Sequence, residues 1–254
     1  MGNISTIRII KTTTFVILGI LLGSAAVTAR AGTIEEADQL VQTPTPDKVN
    51  QALNIYQEFL PKAGSGRFCL LVRMARGAYI MGELAEKGKQ EYHYEKGKLY
   101  AQRLIEERPE SVEGHYWLAL NLTGLAEVNW SQGLVLLPQI MKELERAQAL
   151  DPTYDQAGPH RVLGRIYAEA PSWPLSVGDL YKSLHHLKMA TEMAPENTTN
   201  HLFLAETLLR LGFPAQAKVE LEKVFKSDQH AICAKMITED RQRAQVILKN
   251  SNAE

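Results

Sequence analysis

The strongest constraint on how this chain folds is a period. Pro109, Pro152 and Pro195 stand 43 residues apart both times. The fourteen residues from Pro109 to Leu122 agree at six positions with the fourteen from Pro195 to Leu208, and Trp117 falls opposite Phe203. Between them, Asp151-Pro152 leads into His160-Arg161-Val162-Leu163-Gly164-Arg165-Ile166-Tyr167. Each phrase places apolar residues on one helical face: Leu118, Ala119 and Leu122; Leu163, Gly164 and Tyr167; Leu204, Ala205 and Leu208. A small residue (Ala119, Gly164, Ala205) recurs at one position, which lets a paired helix approach closely. Second helices close on Leu144…Ala147…Asp151-Pro152 and Leu187…Ala190…Pro195, because proline disfavours helix in the residue before it and starts a new turn. The unit is a helix–turn–helix that buries its apolar face by stacking on copies of itself.

The last unit is the most regular. Leu211-Gly212-Phe213-Pro214 supplies a helix stop and a restart, and Ala217, Leu221 and Val224 continue the apolar face. Over about residues 198–231 this spacing resembles the tetratricopeptide repeat (TPR), whose period is roughly 34 residues. The units from 109 to 195 are longer by about nine residues each. An earlier, degenerate unit is expected over 48–108, with helices at Asp47–Leu60, Phe68–Glu86 and Lys89–Arg108. A polar-faced helix at Gln229–Lys249 is expected to cap the array. The expected fold is all-α: one TPR-like α-solenoid of about four helix–turn–helix repeats over 47–249 with a C-terminal capping helix. A Thr-, Gln- and Pro-containing linker over 32–46 precedes it, and a tail over 250–254 follows.

The first 31 residues read differently. Arg8 and Lys11 precede an apolar stretch from Phe15 to Val27, and Ala29-Arg30-Ala31 fits the small-x-small pattern of a signal-peptidase site. A bilayer needs about 20 apolar residues, and this stretch is shorter. The expectation is a cleaved signal peptide, cut after Ala31, and a periplasmic location. Cleavage removes three basic residues and no acidic one, turning 28 basic and 29 acidic side chains into 25 and 29. That balance leaves no basic footprint for nucleic acid, and no later segment is long and apolar enough to span a membrane. Cys69 and Cys233 lie 164 positions apart in apolar helical runs, so two buried thiols are expected rather than a bridge.

Motifs for chemistry are missing. Gly82…Gly88-Lys89-Gln90 has the wrong spacing and no Ser or Thr for a phosphate loop, and there is no HExxH, GxSxG or CxxC. No catalytic, cofactor or metal residue is therefore expected. His185 and His186 diverge by about 100° on a helix and do not share an ion easily. His115, His160 and His201 recur near the start of three successive first helices, either as a polar ladder along a groove or as packing residues. The charged stretch from Glu83 to Arg108 reads as a solvated face with a Glu83–Lys87 pair, and Tyr92-His93-Tyr94 within it as a contact patch or as packing.

The extra residues of the long units fall at 129–138 and 170–179, after the first helix each time, and each segment carries a tryptophan (Trp130, Trp173). Such insertions map to loops on one face of a solenoid, often the binding face. The alternative is that each tryptophan folds back to plug a gap between helices. Asp179 is placed to cap the helix that follows. The candidate interaction surface is thus Trp130, Trp173, Asp179, His115, His160 and His201.

The phrases His160–Tyr167, Ala170-Pro171-Ser172-Trp173-Pro174, Val177-Gly178-Asp179 and Asn200–Glu206 resemble the T-component family of tripartite ATP-independent periplasmic (TRAP) transporters. That resemblance implies a repeat-helical protein assisting a periplasmic solute-binding protein. The expected function is a non-enzymatic scaffold that binds another protein, a solute-binding protein or envelope component, with self-association also allowed. The alternative is a carrier of a small apolar ligand, walled by Leu134–Leu137 and Trp173.

Overall fold

The structure is a computed structural model that describes residues 32–226 and 234–251. The expected signal peptide and Cys233 lie outside the described residues.

The lead-in is helical rather than an irregular linker. Helix α1 (Ile34–Leu40) opens with a capping box, in which Thr33 Oγ1 accepts from the Glu36 amide and Glu36 accepts from the Thr33 amide. Asp38 then anchors it, accepting Arg73 Nε at 2.7 Å, Arg73 Nη2 at 2.8 Å and the Tyr56 hydroxyl at 2.6 Å. Burial pushes the Asp38 carboxyl up, but Arg73 and Tyr56 hold it below its ordinary value. The composition of 32–46 suggests a linker because α1 is only two turns long; its apolar stripe of Ile34, Ala37, Leu40 and Val41 packs on the core beside these polar partners.

Four helix hairpins follow the pair formed by α1 and α2 (Pro46–Phe59). They are α3 (Arg67–Leu84) with α4 (Gln90–Glu107), α5 (Val112–Val128) with α6 (Trp130–Leu150), α7 (Tyr154–Glu169) with α8 (Leu180–Met193), and α9 (Thr198–Arg210) with α10 (Pro214–Lys226). Helix α11 (Ala234–Ser251) packs on α9 and α10 as the cap. The first helices stack in succession, α3 on α5, α5 on α7 and α7 on α9, which gives the TPR-like α-solenoid. Among the described residues the only β-type pairing is one isolated bridge between Ser172 and Gly178, and no helix is long and apolar enough to cross a membrane.

Close approach at small residues sets the spacing of these helices. A Cβ at Gly164 would meet Leu187 Cγ at 2.6 Å, so the α7–α8 contact requires glycine there, while Ala119 and Ala205 are fully buried at the same repeat position. A close joint between three helices involves Tyr94 of α4. Its ring lies so near Gly82 of α3 and Gly124 of α5 that added Cβ atoms would sit 2.2 and 2.4 Å from Cε1. The Tyr94 hydroxyl reaches Glu83 at 2.5 Å. Tyr94 is thus core, whereas Tyr92 is exposed. The Glu83–Lys87 pair does not form, because α3 ends at Leu84 and Gly88 turns the chain at φ 92°; Glu86 pairs with Lys89 instead. At the other end Gly212, at φ 82°, stops α9, and Pro214 starts α10.

Two local expectations are corrected. Cys69 is exposed and free: the apolar run from Phe68 continues through α3, but a helix buries one face, and Cys69 falls on the other. The segment 129–138 is not a loop. Only Asn129 separates α5 from α6, and the Leu-rich insertion adds turns to the front of α6, with Pro138 inside the helix.

Substituting Gly124→Ala should destabilise the fold by about 1–3 kcal/mol, since the Tyr94 ring has no free direction to move. Urea denaturation measures it; a change within experimental error would show that the joint is loose.

Candidate interaction surface

The recurrent histidines are buried, and each works inside its own hairpin. His115 Nε2 lies 2.9 Å from the Pro109 carbonyl and Nδ1 lies 2.5 Å from Glu143 Oε2. His201 repeats the pattern, with Nε2 2.7 Å from the Pro195 carbonyl and Nδ1 2.6 Å from Glu220 Oε2. A carbonyl only accepts, so Nε2 carries a hydrogen in both, and a second proton is held between Nδ1 and the carboxylate. Each histidine therefore clips the turn before its helix to the second helix of the unit. Burial raises the Glu220 carboxyl, but His201 and Lys223 hold it below its ordinary value.

The middle unit is different. His160 Nδ1 faces His186 Nδ1 at 3.1 Å, Tyr167 stacks on His186, and Lys182 lies over the Tyr167 ring. Two rings meeting nitrogen to nitrogen share one hydrogen, and burial lowers both imidazoles, which favours the neutral pair. Burial, then His160, His185 and Lys182, push His186 down to about 4. None of the three repeat histidines offers a groove surface, and among the described residues no group of three or more His, Cys, Asp or Glu side chains is placed to hold a metal.

A polar hub joins three units. Asp155, Gln156 and Ala157 all adopt left-handed backbone, at φ 50°, 54° and 61°. That turn aims the carbonyls of Asp155 and Gln156 at Arg161 Nη1, at 3.1 and 3.2 Å. Arg161 Nη2 donates to Asp155 Oδ2 at 2.8 Å and to the Tyr116 hydroxyl at 3.1 Å, and Nη1 reaches Asn200 Oδ1 at 3.4 Å. Burial works against the guanidinium charge, but Tyr116 and Asp155 more than offset it. Non-glycine residues in this conformation cost of order 1–3 kcal/mol each, so the hub holds the turn in place. Nothing in the local pattern announces it. The His160-Arg161 phrase reads as helix, and Asp155 reads as a first-turn acid.

The inserted segments supply what is exposed. Trp173 and Leu175 are 85% and 80% exposed, Val177 and Tyr181 are exposed close to them in sequence, and Val135 is exposed in the first inserted segment. Trp173 therefore plugs no gap; the side chain of Trp130 lies outside the described residues. The base of the 170–179 loop is closed by Gly178 N to Pro171 O at 2.9 Å and Asp179 N to Tyr167 O at 2.8 Å. Asp179 itself caps α8, accepting from the amides of Tyr181 and Lys182 at 2.9 and 3.0 Å, so its carboxylate is engaged in structure.

Where the two insertions meet they enclose a pocket of about 360 Å³. Leu134, Leu137 and Ile140 of α6 face Ile166 of α7 and Pro171 across it, and Thr123, Glu127, Glu169 and Ser176 complete an almost wholly apolar lining. Trp173 is not part of its lining.

Replacing Arg161→Met should destabilise the protein by about 3–5 kcal/mol, because Asp155 is left buried without its counter-charge. Thermal or urea unfolding decides it; a loss below about 1 kcal/mol would remove the hub from the account. The depressed His186 value also fixes a sign. The unfolded chain takes up a proton that the folded chain refuses, so His186's contribution is fully present above 6.5 and falls as pH drops towards about 4. His186→Asn should flatten that part of the stability–pH curve, and an unchanged slope would contradict the pairing.

Comparison with known proteins agrees with the architecture. A search among solved structures returns a thermophilic TPR protein of Thermus thermophilus, at TM-score 0.64 and 19% identity, covering 85% of this chain and 96% of that one. At that identity the likeness speaks to the fold. A search of curated proteins returns no match. The family model described as Regulator of microtubule dynamics protein 1-3 matches residues 33–170, which includes α1, the 129–138 insertion and Arg161 at the centre of the hub. With more than half of its length matched, the chain belongs to the Regulator of microtubule dynamics protein 1-3 family.

Proposed function

We propose that the chain is a non-catalytic, protein-binding scaffold that presents its inserted segments to a partner. The observation that carries this reading is the exposure of Trp173 and Leu175 on a loop tied shut at its base. Large apolar side chains held out in water on an ordered support are characteristic of contact sites, and tryptophan contributes heavily there. The TPR-like array supports it, since such arrays offer extended surfaces for other chains. We further propose export through the 1–31 segment. The likeness of the 160–206 phrases to the TRAP T-component family then makes a solute-binding protein the first partner to test. The family's own description concerns microtubule dynamics, so tubulin forms the second arm.

A photo-crosslinking residue at position 173 should capture one stoichiometric partner, and Leu175→Asp should abolish that product while Val219→Asp leaves it intact. A chain that stays solitary under crosslinking, or capture insensitive to Leu175→Asp, would overturn the reading.

A second reading rests on the pocket between α5, α6, α7 and the 170–179 loop. Its volume and its Leu134, Leu137, Ile140 and Ile166 walls suit a small apolar ligand.

A further inference from the structure

The recurrent histidines face different partners, and the difference sorts the hairpins by their response to acid. His115 and His201 each hold a hydrogen against a glutamate. Such a clip is ionic and gives way only when the carboxylate itself is protonated. In the α9–α10 hairpin, His201 and Lys223 hold Glu220 below its ordinary value, so that clip outlasts mild acid. His160 instead faces a second base, His186, with 3.1 Å between the two Nδ1 atoms. The neutral pair holds one hydrogen between them. One added proton is carried on an Nε2 with that bond intact. A second puts hydrogens on both facing nitrogens and a charge on each ring, and the bond is lost.

The groups that act on the two rings are themselves bases. His185 and Lys182, on α8, act on His186, and His185 acts on His160 as well. Glu145 of α6 and Asp179 at the start of α8 act on the Tyr167 hydroxyl. On α9, Glu206 is committed to Arg165 and Arg243, and Arg210 to the Ala168 carbonyl. Arg161, next to His160 in sequence, is turned into the hub, and Glu127 of α5 lies among Glu83, Arg165 and Glu169.

What the pair holds is the start of α8. The Asp179 amide donates to the Tyr167 carbonyl at 2.8 Å, and Lys182 lies 5.4 Å from the centre of the Tyr167 ring. His186 stacks on the same ring, with centres 5.5 Å apart and planes at 23°. These contacts with α7 converge on Tyr167, with the histidine pair behind it. One residue further on, Leu187 is fully buried and so close to Gly164 that no Cβ fits between them. Loosening therefore stops at Leu187, and the 170–179 loop that leads into this stretch loosens with it.

We propose that the His160–His186 pair is an acid-released latch: protonation of both rings lets the first turns of α8 leave α7 and frees the loop that carries Trp173 and Leu175. Resting on the reading of that loop as the contact surface, the latch adds its regulation. Burial lowers both imidazoles, His186 to about 4, so the latch is closed above 6.5 and opens as pH falls towards about 4.

A nitroxide at position 175, introduced by Leu175→Cys together with Cys69→Ser and Cys233→Ser, reports on the loop of the free chain by electron spin resonance. Between pH 6.5 and about 4 the mobile fraction should rise about twofold, while far-ultraviolet circular dichroism keeps its helical signal. A nitroxide at Val219→Cys, in the hairpin of the His201–Glu220 clip, should show no such step. His186→Glu rebuilds the ionic clip of the outer units and should hold the loop still over the same range. If that variant does not fold, His186→Asn, which removes the second base, should remove the step. A loop unmoved by acid, a step retained in the folded variant, or mobility gained only as the helical signal is lost would overturn the latch. Crosslinking from position 173 at both pH values separates the two claims. Capture that falls with the step supports both, whereas a mobilised loop with no capture at either pH keeps the latch and overturns the contact reading.

Discussion

A single buried guanidinium holds the middle of this molecule together. Arg161 takes two backbone carbonyls, a carboxylate, a phenol and an amide from three successive first helices, and no other side chain type supplies so many donors in a fixed fork. Its demands set the backbone. Two carbonyls point inward only because Asp155, Gln156 and Ala157 turn left-handed, and that turn fixes where the regular part of α7 begins. From there α7 runs to Glu169, where the 170–179 loop leaves, and Ile166 near its end enters the pocket wall. The helix that this buried charge anchors is the one from which the exposed loop departs.

The histidine clips play the corresponding part within each hairpin. In the outer two units a histidine ties the incoming proline carbonyl to a glutamate on the second helix, and the offset from histidine to glutamate is 28 residues in one and 19 in the other. The difference is the inserted stretch, taken up as extra turns of α6, so the insertion lengthens the helix without disturbing the clip. In the middle unit the acid is replaced by His186, giving a neutral pair beside the second insertion. The hairpin that carries the exposed loop is therefore the one whose histidine makes no ionic clip.

Much of this was legible from sequence because it depends on spacing. The 43-residue proline period, the small residues at 119, 164 and 205, and the Gly212-Phe213-Pro214 break each state a local geometric requirement, and the hairpins follow from them. What escaped depends on partners far along the chain. Helix α1 is tied by Asp38 to Arg73 and Tyr56 and packs Ala37 into the core, the Glu83–Lys87 pair gives way to a Tyr94 contact, and the Arg161 hub draws on residues from 116 to 200. The inserted segments are legible as insertions, but not the direction in which each side chain turns. Composition alone groups Trp173 with Leu134–Leu137, yet Leu134 and Leu137 line a pocket while the tryptophan turns outward to solvent.

The central claim is that the inserted segments form the face this scaffold offers to other proteins. Amide hydrogen exchange, compared between the free chain and its complex with the captured partner, addresses it directly. The account predicts new protection over the first turns of α6 and the 170–181 segment, with α1 to α3 unchanged. Protection confined to the Asp38–Arg73 side of the array, with 170–181 exchanging as fast as before, would contradict it.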